Sequence, residues 1–344
     1  MKAVQFDAYG EQPRLTEVPA PVVPADGVVI EVGATGLCRS DWHAWRGHEP
    51  VALPHIPGHE FAGVVSAVGD AVRSWSVGDR VTAPFVLGCG ACQYCRGGDA
   101  QVCPDQRQPG FTGPGSFAEL VAVERADFNL VGLPDELDFV TAASLGCRFA
   151  TAFRALTTHG RVGPGQWVAI LGCGGVGLSA VMIATALGAQ VVVVDLSAAA
   201  LARAENLGAA ATVNAATETE PAAAVVALTG GGAHLAMDAF GSAATAFASV
   251  TSLRPRGRHL QVGLLHGDET TPALPIDQVI AHELEIYGSH GMAAHEYPAM
   301  LELVTSGALH PERLIGSVIG LHDAPAALAA MDRPAASGIT VIAL

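Results

Sequence analysis

The alternation of apolar and polar positions changes character part-way along the chain. Over about the first 120 residues, short β-rich runs such as Val28-Val29-Ile30-Glu31-Val32 and Phe61-Ala62-Gly63-Val64-Val65 are each bounded by turn residues. That punctuation predicts a loop-rich, all-β region. Gly78-Asp79-Arg80-Val81 reads as a turn feeding a strand, and a further strand is predicted around Phe117 to Val123. From Leu145 the pattern changes. A helix is predicted over Ala150 to His159 and a strand over Trp167 to Leu171. Strands recur at Val191 to Val194, Ala211 to Asn214, His234 to Asp238, His259 to Gly263 and Glu285 to Gly288, with Ala-rich helical stretches such as Ala198 to Leu207 between them. Strands alternating with helices predict a parallel, doubly wound α/β sheet. Beyond Ser289, helices are predicted around Tyr297 to Thr305 and Ala324 to Met331, with a closing strand over Gly338 to Leu344 that returns to the first region.

A chain of 344 residues exceeds the roughly 250–300 at which single cores stop growing, so two domains are expected. The change of pattern divides them into a β-rich domain of residues 1–148 with 289–344 and an α/β domain of residues 149–288. The segment from Val162 to Val194 carries no charged residue, which raises the question of a membrane span. Gly172, Gly174, Gly175 and Gly177, and then Gly188-Ala189-Gln190, break it into strand, helix and strand lengths, so a buried βαβ unit is the better reading. No membrane association is expected.

Half the residues are hydrophobic and 15% charged, a balance that suits a fully folded enzyme. The 18 Lys and Arg against 33 Asp and Glu give a net charge of −15, which would repel a phosphate backbone and argues against nucleic acid as a partner. Seven cysteines, an odd number, and no apolar leader after Met1 to Phe6 lead us to expect reduced thiols and a cytoplasmic protein.

Four of the seven cysteines form the run Cys89-x2-Cys92-x2-Cys95-x7-Cys103. One short loop can wrap four thiolates around a tetrahedral zinc, leaving no vacant position, so this is a candidate structural site. Gly172-x-Gly174-x-x-Gly177 follows an apolar run and is followed, about twenty residues on, by Asp195. Those glycines allow a tight turn, close approach to a pyrophosphate and close helix packing, while the acid can accept hydrogen bonds from ribose hydroxyls. NAD is therefore expected over NADP, since no Arg directly follows Asp195 to meet a 2′-phosphate. Cys38 and Cys147 have a polar companion in Gly58-His59-Glu60, so a second zinc is open. Their spacing forms no local motif, and by residue chemistry each could equally be a buried small hydrophobe or a hydrogen-bonded histidine.

Gly36-Leu37-Cys38-Arg39-Ser40-Asp41-Trp42-His43, Pro57-Gly58-His59-Glu60-Phe61-Ala62-Gly63, the four-cysteine loop and Gly172-Cys173-Gly174-Gly175-Val176-Gly177 occur in one order across nearly the whole chain. Together they resemble the zinc-dependent alcohol dehydrogenases of the medium-chain dehydrogenase/reductase superfamily. The resemblance implies a GroES-like β-rich catalytic domain beside a Rossmann domain, and two zincs per chain. The catalytic zinc would be held by Cys38, His59 and Cys147, with Glu60 beside it as outer support or alternative ligand; alcohol dehydrogenase is the type example of a Cys2His catalytic zinc.

The same resemblance implies that Ser40 takes the substrate proton and His43 relays it. It places Arg39 and, more weakly, Arg333 at the pyrophosphate, with Gly172, Gly174, Gly175, Val176, Gly177 and Asp195 forming the rest of the NAD site. Thr151 and Val262 would flank the nicotinamide, and Trp42, Phe85 and Phe111 would wall the substrate pocket. The reaction so implied interconverts a primary or secondary alcohol and its aldehyde or ketone. Alternatives are a polyol or aldehyde-adduct dehydrogenase of the same superfamily, or a silent nucleotide-binding relative. Relatives of this kind are dimers or tetramers, and the short lobe between Cys103 and Phe117 favours a homotetramer. The chain departs from many relatives at Ala200, where they carry a basic residue, and at Arg148, where some have a small one.

Overall fold

The computed structural model describes residues 1–332 and 338–344. The chain forms two compact units: Met1–Ala150 with Gly291–Gly307 and Pro311–Leu344, and Thr151–His290 with Ala308–His310.

The strand Val28–Leu37 organises the first unit. It runs antiparallel to Phe61–Val68 along one edge and to Leu120–Val123 and Ile339–Ala343 along the other. The sheet continues from Phe61–Val68 through Arg80–Thr82 to Val131–Gly132, and from Ile339–Ala343 to Ile315–Gly320. Most of the central strand is buried, because both faces are covered. Val28, Ile30 and Val32 pack on Phe61, Val65 and Val81, while Leu37 joins Phe6, Trp45, Phe117 and Ile342 in a second cluster. Burying one such side chain stabilises the fold by about 1.5–3 kcal/mol. A short hairpin-like pair, Lys2–Gln5 with Arg14–Glu17, lies in a region where proline and polar residues hide strands from the hydrophobic pattern.

In the second unit six parallel strands stand in the order Ala211–Asn214, Gln190–Asp195, Trp167–Leu171, Ala233–Asp238, Leu253–Gln261, Glu285–Gly288. Numbered along the unit this is 3-2-1-4-5-6, whose order reverses between the first and fourth strands, where doubly wound sheets bind ligands beyond the strand ends. Val191 to Val194 are all buried, as strands of a sheet covered on both faces must be. The fifth strand begins at Leu253 and ends at Gln261 rather than spanning His259 to Gly263. Arg254, Pro255, Arg256 and Gly257 read as a turn, yet they extend the strand through a register shift, with Arg256 at φ +66°. Among the described residues no helix is long and apolar enough to cross a membrane.

Candidate metal centres and nucleotide site

The four-cysteine loop leaves the sheet after Arg80–Thr82 and is anchored by a buried amide: Asn129 Oδ1 accepts from Gly88 N at 2.8 Å and Asn129 Nδ2 donates to Gly88 O at 3.1 Å. The sulfurs of Cys89, Cys92, Cys95 and Cys103 lie within 4.8 Å of one another. Cys89 and Cys95 are separated by 3.9 Å between sulfurs, and Cys92 and Cys103 by 3.8 Å. Those separations far exceed a disulfide bond. They match the edge of about 3.8 Å of a tetrahedron whose metal–sulfur bonds are about 2.3 Å. Backbone N–H groups of Ala91 and Cys92 point at Cys89 Sγ from 3.4 and 3.2 Å and draw its thiol down to about 6. Burial pushes Cys95 up to about 12. Four sulfurs so arranged fit a structural zinc.

The second cluster is assembled by sheet register. Thr35 pairs with Phe61, so the end of Val28–Leu37 and the start of Phe61–Val68 emerge side by side. Cys38 follows the one and His59 precedes the other. Cys147 comes from a wide π-type turn, Leu145–Phe149, fixed by the buried Tyr297, whose hydroxyl donates to Gly146 O at 2.9 Å. Such wide turns are often found at functional sites. Ligand atoms of Cys38, His59, Glu60 and Cys147 all fall within 4.8 Å of one another.

Asp41 orients this cluster. It sits in the first turn of the helix Arg39–Arg46, fully buried, and accepts three bonds: from Cys38 N at 2.9 Å, Gly58 N at 3.0 Å and His59 Nδ1 at 2.9 Å. With Nδ1 so occupied, His59 Nε2 is buried and has no hydrogen-bond partner among the described residues. A buried imidazole nitrogen with no hydrogen-bond partner among the described residues, beside two sulfurs, fits the role of a metal ligand. Burial opposes a charge on His59, but Asp41 and Cys38 outweigh it and hold the imidazole well above its usual pKa. The hydrogen bond from Cys147 draws the Cys38 thiol well down against its burial, and the same bond pushes Cys147 up. Two thiols and an imidazole nitrogen whose ligand atoms lie this close, each able to give up a proton to a bound cation, form a donor set that fits a Cys2His zinc.

Around it, the rings of Phe111 and Phe85 lie 5.1 and 6.1 Å from the His59 ring, so both border the cluster. Ser40 Oγ is 3.9 Å from Cys38 Sγ. His43 Nδ1 meets His48 Nδ1 at 3.1 Å. Trp42 packs edge-on against His43 and His48, and its Nε1 donates to Asp332 Oδ1 at 2.7 Å. Arg39 lies over the Trp42 ring, 4.8 Å from its centroid, and donates to Met331 O at 2.7 Å. Arg333 lies outside the described residues.

In the second unit Gly172 adopts φ +98°, and a Cβ at Gly177 would stand 1.8 Å from Gly172 O, so only glycine permits the helix Gly175–Ala186 to start so close to its strand. A Cβ on Gly174 would meet nothing within 4 Å, so the backbone there borders open space, as a pyrophosphate cradle requires. Asp195 accepts from Cys173 N at 2.6 Å and from Ser197 N at 2.8 Å, which pins its carboxylate beside the glycine turn. Gly175 and Val176 open the helix, Val262 N donates to Asp238 O at 3.0 Å just past a strand end, and Thr151 is buried in the helix Ala150–Arg154. This geometry fits a dinucleotide.

Sequence reasoning left Asp41 without a role. The available signal was its place three residues after Cys38, where an acid can reach back to the N-terminus of a helix.

The alcohol dehydrogenase GroES-like domain model matches residues 24–135 and the zinc-binding dehydrogenase model residues 175–306. An alcohol dehydrogenase of Geobacillus stearothermophilus is 37% identical over 292 residues, 84% of each chain. Among solved structures, alcohol dehydrogenase TADH from Thermus sp. ATN1 superposes with a TM-score of 0.92 at 32% identity, covering 100% of this chain and 99% of that one. A structure described as an NAD-dependent alcohol dehydrogenase gives 0.89 at 31% identity, with both chains covered fully. Sequence, fold and ligand geometry agree, and the chain belongs to the zinc-type alcohol dehydrogenases of the medium-chain dehydrogenase/reductase superfamily.

Proposed function

We propose that the chain is an NAD-dependent alcohol dehydrogenase that interconverts a primary or secondary alcohol and its aldehyde or ketone at Cys38, His59 and Cys147. The observation that carries this reading is the buried, unpartnered His59 Nε2 beside the Cys38 and Cys147 sulfurs. When bound, zinc supplies Lewis-acid polarisation of the alcohol oxygen and NAD supplies the hydride acceptor. The protein's own groups do the rest. Asp41 accepts from His59 Nδ1, so Nε2 is the atom beside the sulfurs that would hold the metal once its proton is displaced. Ser40 receives the hydroxyl proton, and the His43 imidazole passes it on. Phe85 and Phe111 keep the neighbourhood of His59 apolar, which favours a simple carbinol over a polyol. Asp195 accepts from the adenosine ribose hydroxyls, and its charge disfavours a 2′-phosphate.

The four-cysteine loop holds a second, structural zinc in this reading, supported by its sulfur separations. A homotetramer in the cytoplasm is inferred from the family resemblance, the short lobe after Cys103 and the free cysteines. The test is an initial-rate screen of alcohols, aldehydes and ketones with NAD and NADP in parallel: NAD-linked turnover of simple alcohols is expected, and absence of turnover across the panel by zinc-replete protein would refute it.

A further inference from the structure

Glu60 is the fourth group at the cluster, and its carboxylate is near enough to ligate a metal there. Yet it is fully engaged elsewhere. Its Oε1 accepts from the backbone N–H groups of Cys147 and Arg148, both at 3.1 Å, and from Arg148 Nε at 3.1 Å. Its Oε2 accepts from Arg148 Nη2. The remaining arm of the guanidinium, Nη1, donates to Leu37 O at 3.0 Å. Arg148 thus follows Cys147 in the chain, binds the residue before Cys38 and grips the residue after His59. Both partners are buried, Glu60 wholly so. Gly36 makes room for the pair, since a Cβ there would come within 2.3 Å of Glu60 Oε2.

Charge shows what the grip accomplishes. Two thiolates balance a dipositive metal, so Glu60 adds one uncompensated negative charge and Arg148 supplies its compensation. With the guanidinium gone, the nearest cation to Glu60 would be the metal, for which carboxylates are competent ligands. A fourth protein ligand closes the position that a catalytic zinc keeps open.

We infer that Arg148 is a positioning residue that holds Glu60 off the metal and so keeps one coordination position of the Cys38, His59 and Cys147 site open to small ligands. This rests on the proposed reading of that site as the catalytic zinc.

The test uses full-length protein with cobalt(II) in place of zinc, and azide as the probe, read by visible absorption. Wild-type protein should show one cobalt whose spectrum responds to azide. In Arg148→Met, azide affinity should fall at least 10-fold, and in Glu60→Gln/Arg148→Met it should return to within about 3-fold of wild type, a rescue that a merely structural role would not produce. If Arg148→Met does not fold, Arg148→Lys keeps the charge but loses the fork. Its azide affinity should fall at least 3-fold, again rescued by Glu60→Gln. Wild-type azide affinity in a folded Arg148 variant, or a double variant no better than the single, overturns the role of Arg148 alone. A wild-type cobalt protein with no azide-responsive metal overturns the catalytic-zinc reading and this inference with it.

Discussion

Asp41 and His59 form a buried hydrogen bond of 2.9 Å between carboxylate and imidazole, and it is this bond that turns Nε2 toward the sulfurs. All three groups that bond Asp41 are donors, so an amide in its place would set one N–H against another. Asp41→Asn should weaken zinc binding at this centre by about 10–100-fold, the usual effect of losing an outer-sphere partner. Competition with a chromophoric chelator measures it, and an unchanged affinity would show that Asp41 does not orient the ligand.

The four-cysteine loop should contribute stability rather than chemistry. Replacing Cys103, fully buried, by Ser removes one of four thiolates and should lower the melting temperature by at least about 5 °C, given about 2–4 °C per kcal/mol in domains of about 150–250 residues. The effect on kcat at 20 °C should stay within about 2-fold. A large kcat loss in a variant with unaltered melting would reverse the assignment.

How far the chain revealed itself depended on sequence distance. The loop of Cys89, Cys92, Cys95 and Cys103 is local, and its spacing alone predicts a tetrahedral site. So is the turn from Gly172 to Gly177, where steric demand leaves only glycine. Cys38, His59 and Cys147 are far apart in sequence, and what joins them is strand register, Thr35 against Phe61, plus a wide turn after Ala143 that no periodicity announces. Only family resemblance linked them beforehand. Arg148 stood out merely as an unusual neighbour of Cys147, since its guanidinium spans to Leu37 and Glu60 only once the sheet has formed. The strand Leu253–Gln261 starts six residues before the expected His259 because Pro255 and Gly257 carry turn propensity that pairing overrides.

Asp195 should set cofactor choice. Hydrogen bonds to a charged group contribute about 1.5–3 kcal/mol, so Asp195→Ala should raise KM for NAD by about 10–100-fold while lowering KM for NADP. Parallel initial-rate measurements with the two cofactors check it. Unchanged KM for NAD in the variant would show that the carboxylate, pinned by Cys173 N and Ser197 N, serves only the turn.

Burial holds His55 and His259 below their ordinary pKa of 6.5. His55 is bonded to Gly110 O at 2.8 Å and His259 to Ser249 Oγ at 2.7 Å. The unfolded chain therefore takes up protons first. The stability these neutral rings contribute is fully present above pH 6.5 and is lost as pH falls toward and through their folded values. Melting temperature should fall from pH 7.5 to 5.5 with a shallower slope in His259→Gln than in the parent. Equal slopes would remove His259 from the explanation.

The central claim is that side chains distant in sequence converge on a second metal with an open position. Anomalous scattering from crystals of the zinc-loaded protein, measured at the zinc absorption edge, tests it directly. The account predicts two peaks per chain, one amid the sulfurs of Cys89, Cys92, Cys95 and Cys103 and one joining Cys38, His59 Nε2 and Cys147. A single peak confined to the four-cysteine loop would contradict it.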